Sequence, residues 1–439
     1  MMPEHQTATG ARPAGSSTTK QLTPPGAKQA IRGGILGNYV DQFDIFLPVI
    51  VLAPAAAHLF GSDNLARNAG LIFTATLIAR PVGAAAFGPV ADRIGRSRTT
   101  KLTLTGVALT TLLIGLVPPQ LSEDAALGWI LVLRFLGGIF LGGGYTSAVP
   151  LAMEWSAPRR RGLVSGLIMW MSPWANASIA ALAFLLLSWA SPAGYDSWGW
   201  RVPFLLGAAM ALAMLAFYHR YVSDPPSRAK TAEKPNPLRL ILLGPHARRL
   251  AQVFVLMSGL WLFTDTVIAV LTGQLTAIAH LDDQATSFTM LCATAASALA
   301  MVATGHLSTF TGRRRFFIAF GALSAVLAPV AYLLVFRQQP LGVTVAWVVV
   351  LQVVTVSMYG PVAAYLTELF PTAVRSSGYG VAYSLSIVLP ALYPYYLPLA
   401  QHALGAKLAV AVLLGLAGLL VTLGATLSPE TDTQTNLTI

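Results

Sequence analysis

Twelve mostly apolar runs, each roughly 20 residues long or more, follow one another along this chain with only short polar turns between most of them. A run of that length crosses a hydrocarbon core of about 30 Å as a helix, and a helix satisfies its own backbone where no water is present. The runs are Gly33 to Phe60, Leu65 to Val90, Thr99 to Val117, Leu127 to Met153, Gly162 to Trp189 and Trp200 to Tyr218, then Leu250 to Ala279, Ala285 to Leu307, Phe316 to Phe336, Leu341 to Leu369, Ser377 to Gln401 and Leu408 to Leu427. Between the sixth and seventh, His219 to Arg249 is charged and broken by Pro225, Pro226, Pro235, Pro237 and Pro245, and cannot span. The expected fold is an all-α integral membrane protein with 12 transmembrane helices in two pseudo-symmetric six-helix bundles. The bundles occupy 33–218 and 250–428, joined by a linker at 219–249, with a disordered tail at 1–32 and a short tail at 429–439.

Composition agrees, because only 10% of the residues are charged, against roughly 25% in soluble domains. The net charge of +11 does not point to nucleic acid, since the basic residues fall in alternate loops rather than on one face. Assigning the amino terminus inside leaves Arg93, Arg96, Arg98, Arg159 to Arg161, Arg248, Arg249, Arg313 to Arg315 and Arg375 on the inner side, and only Arg67, Arg201, Arg337 and Lys407 outside. Retention of Lys and Arg in cytoplasmic loops then places both termini in the cytoplasm of a cell bearing this protein in its inner or plasma membrane. The lone Cys292 forms no intramolecular disulfide. The seven His residues are scattered, no metal-ligand or nucleophile spacing occurs, and the longest connection is too short for a catalytic domain, so neither an enzyme nor a cofactor is expected.

The stretch Arg80 to Arg98, RPVGAAAFGPVADRIGRSR, joins a small-residue helix end to a tight charged turn with Asp92, Arg93 and Arg96 around Gly95. The halves echo each other here. Gly88 to Arg96 corresponds to Gly305 to Arg313, with Thr309 where Asp92 would be, and Glu154 with Arg161 corresponds to Glu368 with Arg375. One half has kept its acid and the other has lost it, which predicts unequal gates.

The G-x-x-x-D-R-x-G-R pattern from Gly88 resembles the loop between the second and third helices of the major facilitator superfamily. Within it, the opening GNYVDQFDIF from Gly37, the Arg80 to Arg98 run, RFLGGIFLGGGY from Arg134 with Glu154 to Gly162, and WGWRVPFLLG from Trp198 resemble the metabolite:H⁺ symporter family. The sequence departs from that family's pattern at Gly144, where a Glu is usual, and at Asp41-Gln42, which replace Glu-Trp. The resemblance implies a proton-coupled symporter importing a small organic solute by alternating access of the two bundles, acting as a monomer on solute and protons within the bilayer. The alternatives are a proton antiporter exporting drugs or metabolites, and a receptor that binds without transport.

A charge at mid-bilayer costs about 3 kcal/mol or more, so each needs a reason. Asp41 and Asp44 lie at i and i+3 on one face of the first helix and are expected to face the central cavity as proton-coupling groups, Asp44 first, unless Asp41 only neutralises an Arg. Arg134 is the expected partner of that acid, and Arg80 is either a solute contact or half of a structural ion pair. Asp265 stands alone as a contact for a cationic solute, a second proton site or a water-facing group. Trp170, Trp174, Asn176, Trp261, Gln274, Tyr359 and Tyr383 complete the candidates for the solute site. Gly88, Asp92, Arg93, Gly95, Arg96, Glu154, Arg161, Glu368 and Arg375 are the gating candidates, and Pro390, Pro394 and Pro398 are expected to bend the eleventh helix. Two membrane arginines favour a carboxylate or zwitterion as the solute.

Overall fold

A computed structural model describes residues 26–60, 65–224 and 236–431. Its helices are α1 (Ala27–Phe60), α2 (Leu65–Ile94), α3 (Arg96–Gly115), α4 (Glu123–Trp155), α5 (Pro158–Trp189) and α6 (Tyr195–Tyr221) in the first half. The second half holds α7 (Ala247–Ala277), α8 (Asp283–Thr311), α9 (Arg313–Val335), α10 (Leu341–Leu369), α11 (375–404) and α12 (Ala406–Leu427). A short helix at Pro237–Leu242 precedes α7.

Ten of these are long and apolar enough to cross a membrane. The two others are helical but differ in kind. Arg96, Arg98 and Lys101 crowd the first turns of α3, and its threonines satisfy their hydroxyls on the helix itself, as Thr99 on the Gly95 carbonyl and Thr110 on that of Gly106. The eleventh is broken into Arg375–Leu385, Val388–Ala391 and Tyr393–Leu404, with Pro390 and Pro394 at the breaks. The first helix starts at Ala27, so residues 27–32, expected in the tail, are helical. The rest of that tail, like the middle of the linker and the last residues of the chain, lies outside the described residues.

Small residues bring the helices together. A Cβ on Gly142 of α4 would fall on the main chain of Arg80 in α2, so only glycine permits this approach. Apolar side chains such as Phe184 and Leu299 stand 69% and 63% exposed on the outer surface, the face a bilayer would cover.

The halves meet at the end that carries the α2–α3, α4–α5, α8–α9 and α10–α11 turns. Gly88 of α2 lies against Ser377 of α11, Gly162 of α5 against Gly305 of α8, and Ser165 donates to the Gly360 carbonyl of α10. Two turns at this end need a positive φ, and glycine supplies it: Gly95 at 113° and Gly312 at 84°.

Candidate functional site

Between the halves lies a cavity of about 110 Å³. Its wall takes Asn38 and Gln42 from α1, Tyr145 from α4, Ser172 and Asn176 from α5, Trp261 and Thr264 from α7, Thr294 and Ser297 from α8, Gln352 and Tyr359 from α10, and Tyr383 from α11. No charged side chain is among its lining residues. The amides are held in place: Ser172 donates to Gln42 Oε1 at 2.8 Å, and Asn38 Nδ2 donates to the Ile168 carbonyl at 2.6 Å.

One wall is aromatic. Trp261 meets Tyr359 and Tyr383 edge-on at centroid distances of 5.5 and 5.1 Å, its Nε1 donates to the Tyr383 carbonyl, and Tyr145 stacks on Tyr383 at 4.4 Å. Arg80 stands behind this wall, buried, with its guanidinium 5.7 Å from the Tyr145 ring centroid and 5.8 Å from that of Tyr383. Its Nε has no hydrogen-bond partner.

Of the expected solute contacts, the structure brings Asn176, Trp261, Tyr359 and Tyr383 to the cavity. Arg80, Arg134, Trp170 and Asp265 are not among the lining residues. Trp174 packs edge-on against Trp170 with half its surface exposed, and Gln274 is bound to Tyr332 inside the second half. Asp265 opens a π-helical turn in α7, and its buried Oδ2 meets no partner. Asn38, Gln42, Tyr145, Ser172, Ser297 and Gln352 were not among the expected contacts. The i, i+4 spacing of the amides at 38 and 42 was the available signal.

The acids of α1 correct the expectation that they face the cavity. They do share a face, but it is turned roughly 110° away from the Asn38 and Gln42 face and into the first half. There Asp44 accepts from Arg134 Nη2 at 3.1 and 3.0 Å, and from Thr111, while Arg134 Nη1 donates to the Asp44 carbonyl at 2.8 Å. The pair is buried on both sides, and the expected partnership of Arg134 with Asp44 is what the geometry displays. Asp41, also buried, lines a separate small pocket with Thr100, Thr103, Gly144 and Tyr218.

The latch closes the end where the halves meet. Asp92 accepts from the backbone N–H groups of Ser376 and Ser377 at 3.0 and 2.9 Å and from the Ser377 hydroxyl at 2.8 Å, so an acid of α2 caps the first turn of α11. Arg96 pairs with Asp92 and Glu154 and donates through Nε to Ser376 Oγ at 2.8 Å, and Arg375 Nη1 reaches Glu154 at 2.6 Å. Arg93, one residue from Asp92, is exposed and outside this network. In the second half Arg313, not singled out from sequence, pairs with Glu368 at 3.3 Å, and Thr431 donates to the same carboxylate at 2.8 Å. Thr309 offers only a hydroxyl there, accepting from Arg313 at 3.3 Å, and the buried Arg161 keeps Nε and Nη1 without hydrogen-bond partners.

Two helical bundles around a polar cavity, latched at one end by charges that cross between them, define a membrane transporter and not an enzyme. The chain belongs to the major facilitator superfamily, whose sequence profile matches residues 35–388. It is 28% identical to the inner membrane metabolite transport protein YhjE of Escherichia coli K12 over 86% of this chain and 88% of that one. It is 26% identical to the alpha-ketoglutarate permease of the same organism, covering 87% and 88%, and 24% identical to its proline/betaine transporter, covering 84% and 76%. Among solved structures, the proton:xylose symporter XylE shares the fold with a TM-score of 0.72 at 14% identity, over 94% of this chain and 98% of that one.

Proposed function

We propose that the protein is a proton-coupled symporter that imports a small carboxylate or zwitterion by alternating access, its two bundles at 33–218 and 250–428 moving about the central cavity. The observation that carries this reading is the Asp44–Arg134 pair, an ion pair that leaves the bilayer interior neutral only while both partners keep their charge. Removing one partner of a buried pair costs about 3–5 kcal/mol, so taking up a proton at Asp44 frees Arg134 from its partner and shifts the balance between conformations. Proline/betaine and alpha-ketoglutarate carriers among the relatives support the solute class. So do the amide and hydroxyl groups of the wall, with Arg80 supplying positive charge just behind Tyr145 and Tyr383.

The distribution of Lys and Arg supports cytoplasmic termini. On that orientation the latched end is cytoplasmic and this conformation is closed toward the cell interior. An exporting antiporter is the second reading, favoured by the unpartnered carboxylate of Asp265, which suits a cationic solute. The test begins with a thermal-shift screen of the purified protein against carboxylates, betaines and amino acids, since a ligand stabilises the state it binds. Uptake of the hit by proteoliposomes under an imposed pH gradient then decides direction: accumulation on the alkaline side supports symport, and accumulation on the acidic side supports the antiporter.

A further inference from the structure

Asp41 poses a problem that the proposed transport cycle does not solve. It is 5% exposed, yet makes no hydrogen bond and no ion pair; the charged groups that face it are Arg80, beyond salt-bridge reach, and Asp44, which is already held by Arg134. A buried carboxylate left in that condition costs several kcal/mol. It opens onto a pocket of about 10 Å³, the room of one water-sized body.

The other groups around that pocket cannot all serve the carboxylate as donors. Thr103 Oγ1 donates to the Thr100 carbonyl at 3.0 Å, and Thr100 Oγ1 meets both the Arg96 carbonyl and Ser147 Oγ at 2.9 Å, so neither hydroxyl proton is left for the carboxylate. Tyr218 Oη is buried and has no partner. Gly144 keeps the space open, because a Cβ there would stand 3.5 Å from both Asp41 Oδ2 and Thr103 Oγ1. The carboxylate, two hydroxyl groups and phenol that line this water-sized space supply hard oxygen donors. A single carboxylate matches a single positive charge. Ca²⁺ takes about 6–8 oxygens and Mg²⁺ retains several waters, and neither fits this space.

We propose that this pocket is a Na⁺ site, with Asp41 as its anionic ligand and Thr100, Thr103 and Tyr218 as its neutral oxygens. It is separate from the cavity, with no lining residue in common. Because Asn38 and Gln42 of the same helix line that cavity, ion and solute would bear on one element from adjacent faces, about 80° apart around it.

The test is equilibrium binding of radioactive Na⁺ to the purified full-length protein, at constant ionic strength held with choline, without solute and without a pH gradient. The expected result is saturable binding, one ion per chain, that K⁺ does not displace. Asp41→Asn should abolish it. Thr103→Val, which removes one oxygen and keeps the shape, should weaken it roughly tenfold while melting in Na⁺-free buffer stays as in the parent. Absence of saturable binding in the parent protein, or binding that survives Asp41→Asn, overturns the proposal and leaves the pocket to water. Since nothing in this assay depends on proton-driven uptake, its outcome stands apart from the fate of the Asp44 coupling reading.

Discussion

Neutralising Asp92 is the perturbation that separates the two halves of the latch. Asp92→Asn keeps the volume but turns three charge-assisted hydrogen bonds to Ser376 and Ser377 into neutral ones at best. At about 1 kcal/mol lost per bond, the closed end weakens by about 3 kcal/mol, roughly a 150-fold change in the open-to-closed ratio. Arg96 does not compensate, because it is already committed to Glu154 and Ser376. Thr309→Ala, at the corresponding place in the other half, removes one 3.3 Å bond from an Arg313 that retains Ser308 and Glu368, so it should stay within about 0.5 kcal/mol. Spin labels on Arg93→Cys and Phe310→Cys in a Cys292→Ser background report the separation of the halves at this end, both sites being exposed. The Asp92→Asn distance distribution should move to the longer, open population, and that of Thr309→Ala should match the parent. Equal shifts from the two substitutions would refute the asymmetry and with it the view that one half supplies the charged clasp.

Other changes follow from the same contacts. Thr309→Asp places a carboxylate beside Arg313 and the start of α5, next to the incompletely bonded Arg161, and should lengthen the closed state's lifetime and slow solute exchange in vesicles. Gly142→Ala drives a methyl into the main chain of Arg80, so it should cost about 1–3 kcal/mol, seen as a lower melting temperature of the purified protein. Gln352→Ala removes an amide from the cavity wall without touching the latch; it should raise KM for the transported solute by severalfold and, because the buried amide also bonds Val267, Thr294 and Ser297, lower stability without solute by about 1–3 kcal/mol, read as a lower melting temperature.

The helices were legible because length and apolarity are enough to mark a span, and the latch because charges at a membrane edge stand out against apolar runs. Even so, Arg93 and Arg96 could be told apart only in the fold: Arg93 follows Asp92 on α2 and is rotated roughly 100° away into solvent, whereas Arg96 opens α3 beyond the positive-φ turn at Gly95, which brings it back onto Asp92 and Glu154. The early start of α1 at Ala27 was hidden because the polar residues before Gly33 carry no hydropathy signal, although Lys28, Gln29 and Ala30 are all good helix formers. Rotation of a buried helix was less accessible still. Spacing put Asp41 and Asp44 on one face, but whether that face looks into the cavity or into the bundle depends on what α3, α4 and α6 present to it. The cavity's own side chains escaped for a related reason: Asn38, Ser297 and Gln352 are uncharged, and one amide or hydroxyl in an apolar run looks the same whether it meets a solute or a neighbouring helix.

In the proposed cycle Asp44, through Arg134, ties solute movement to the proton gradient. Proteoliposomes carrying Asp44→Asn test it when two fluxes are measured on the same preparation: exchange of labelled solute at equal concentrations, and net accumulation driven by a pH gradient. Exchange should persist while uphill accumulation disappears, since a neutral amide can release Arg134 but cannot return it to a charged partner. Full uphill accumulation by Asp44→Asn would rule out Asp44 as the coupling group.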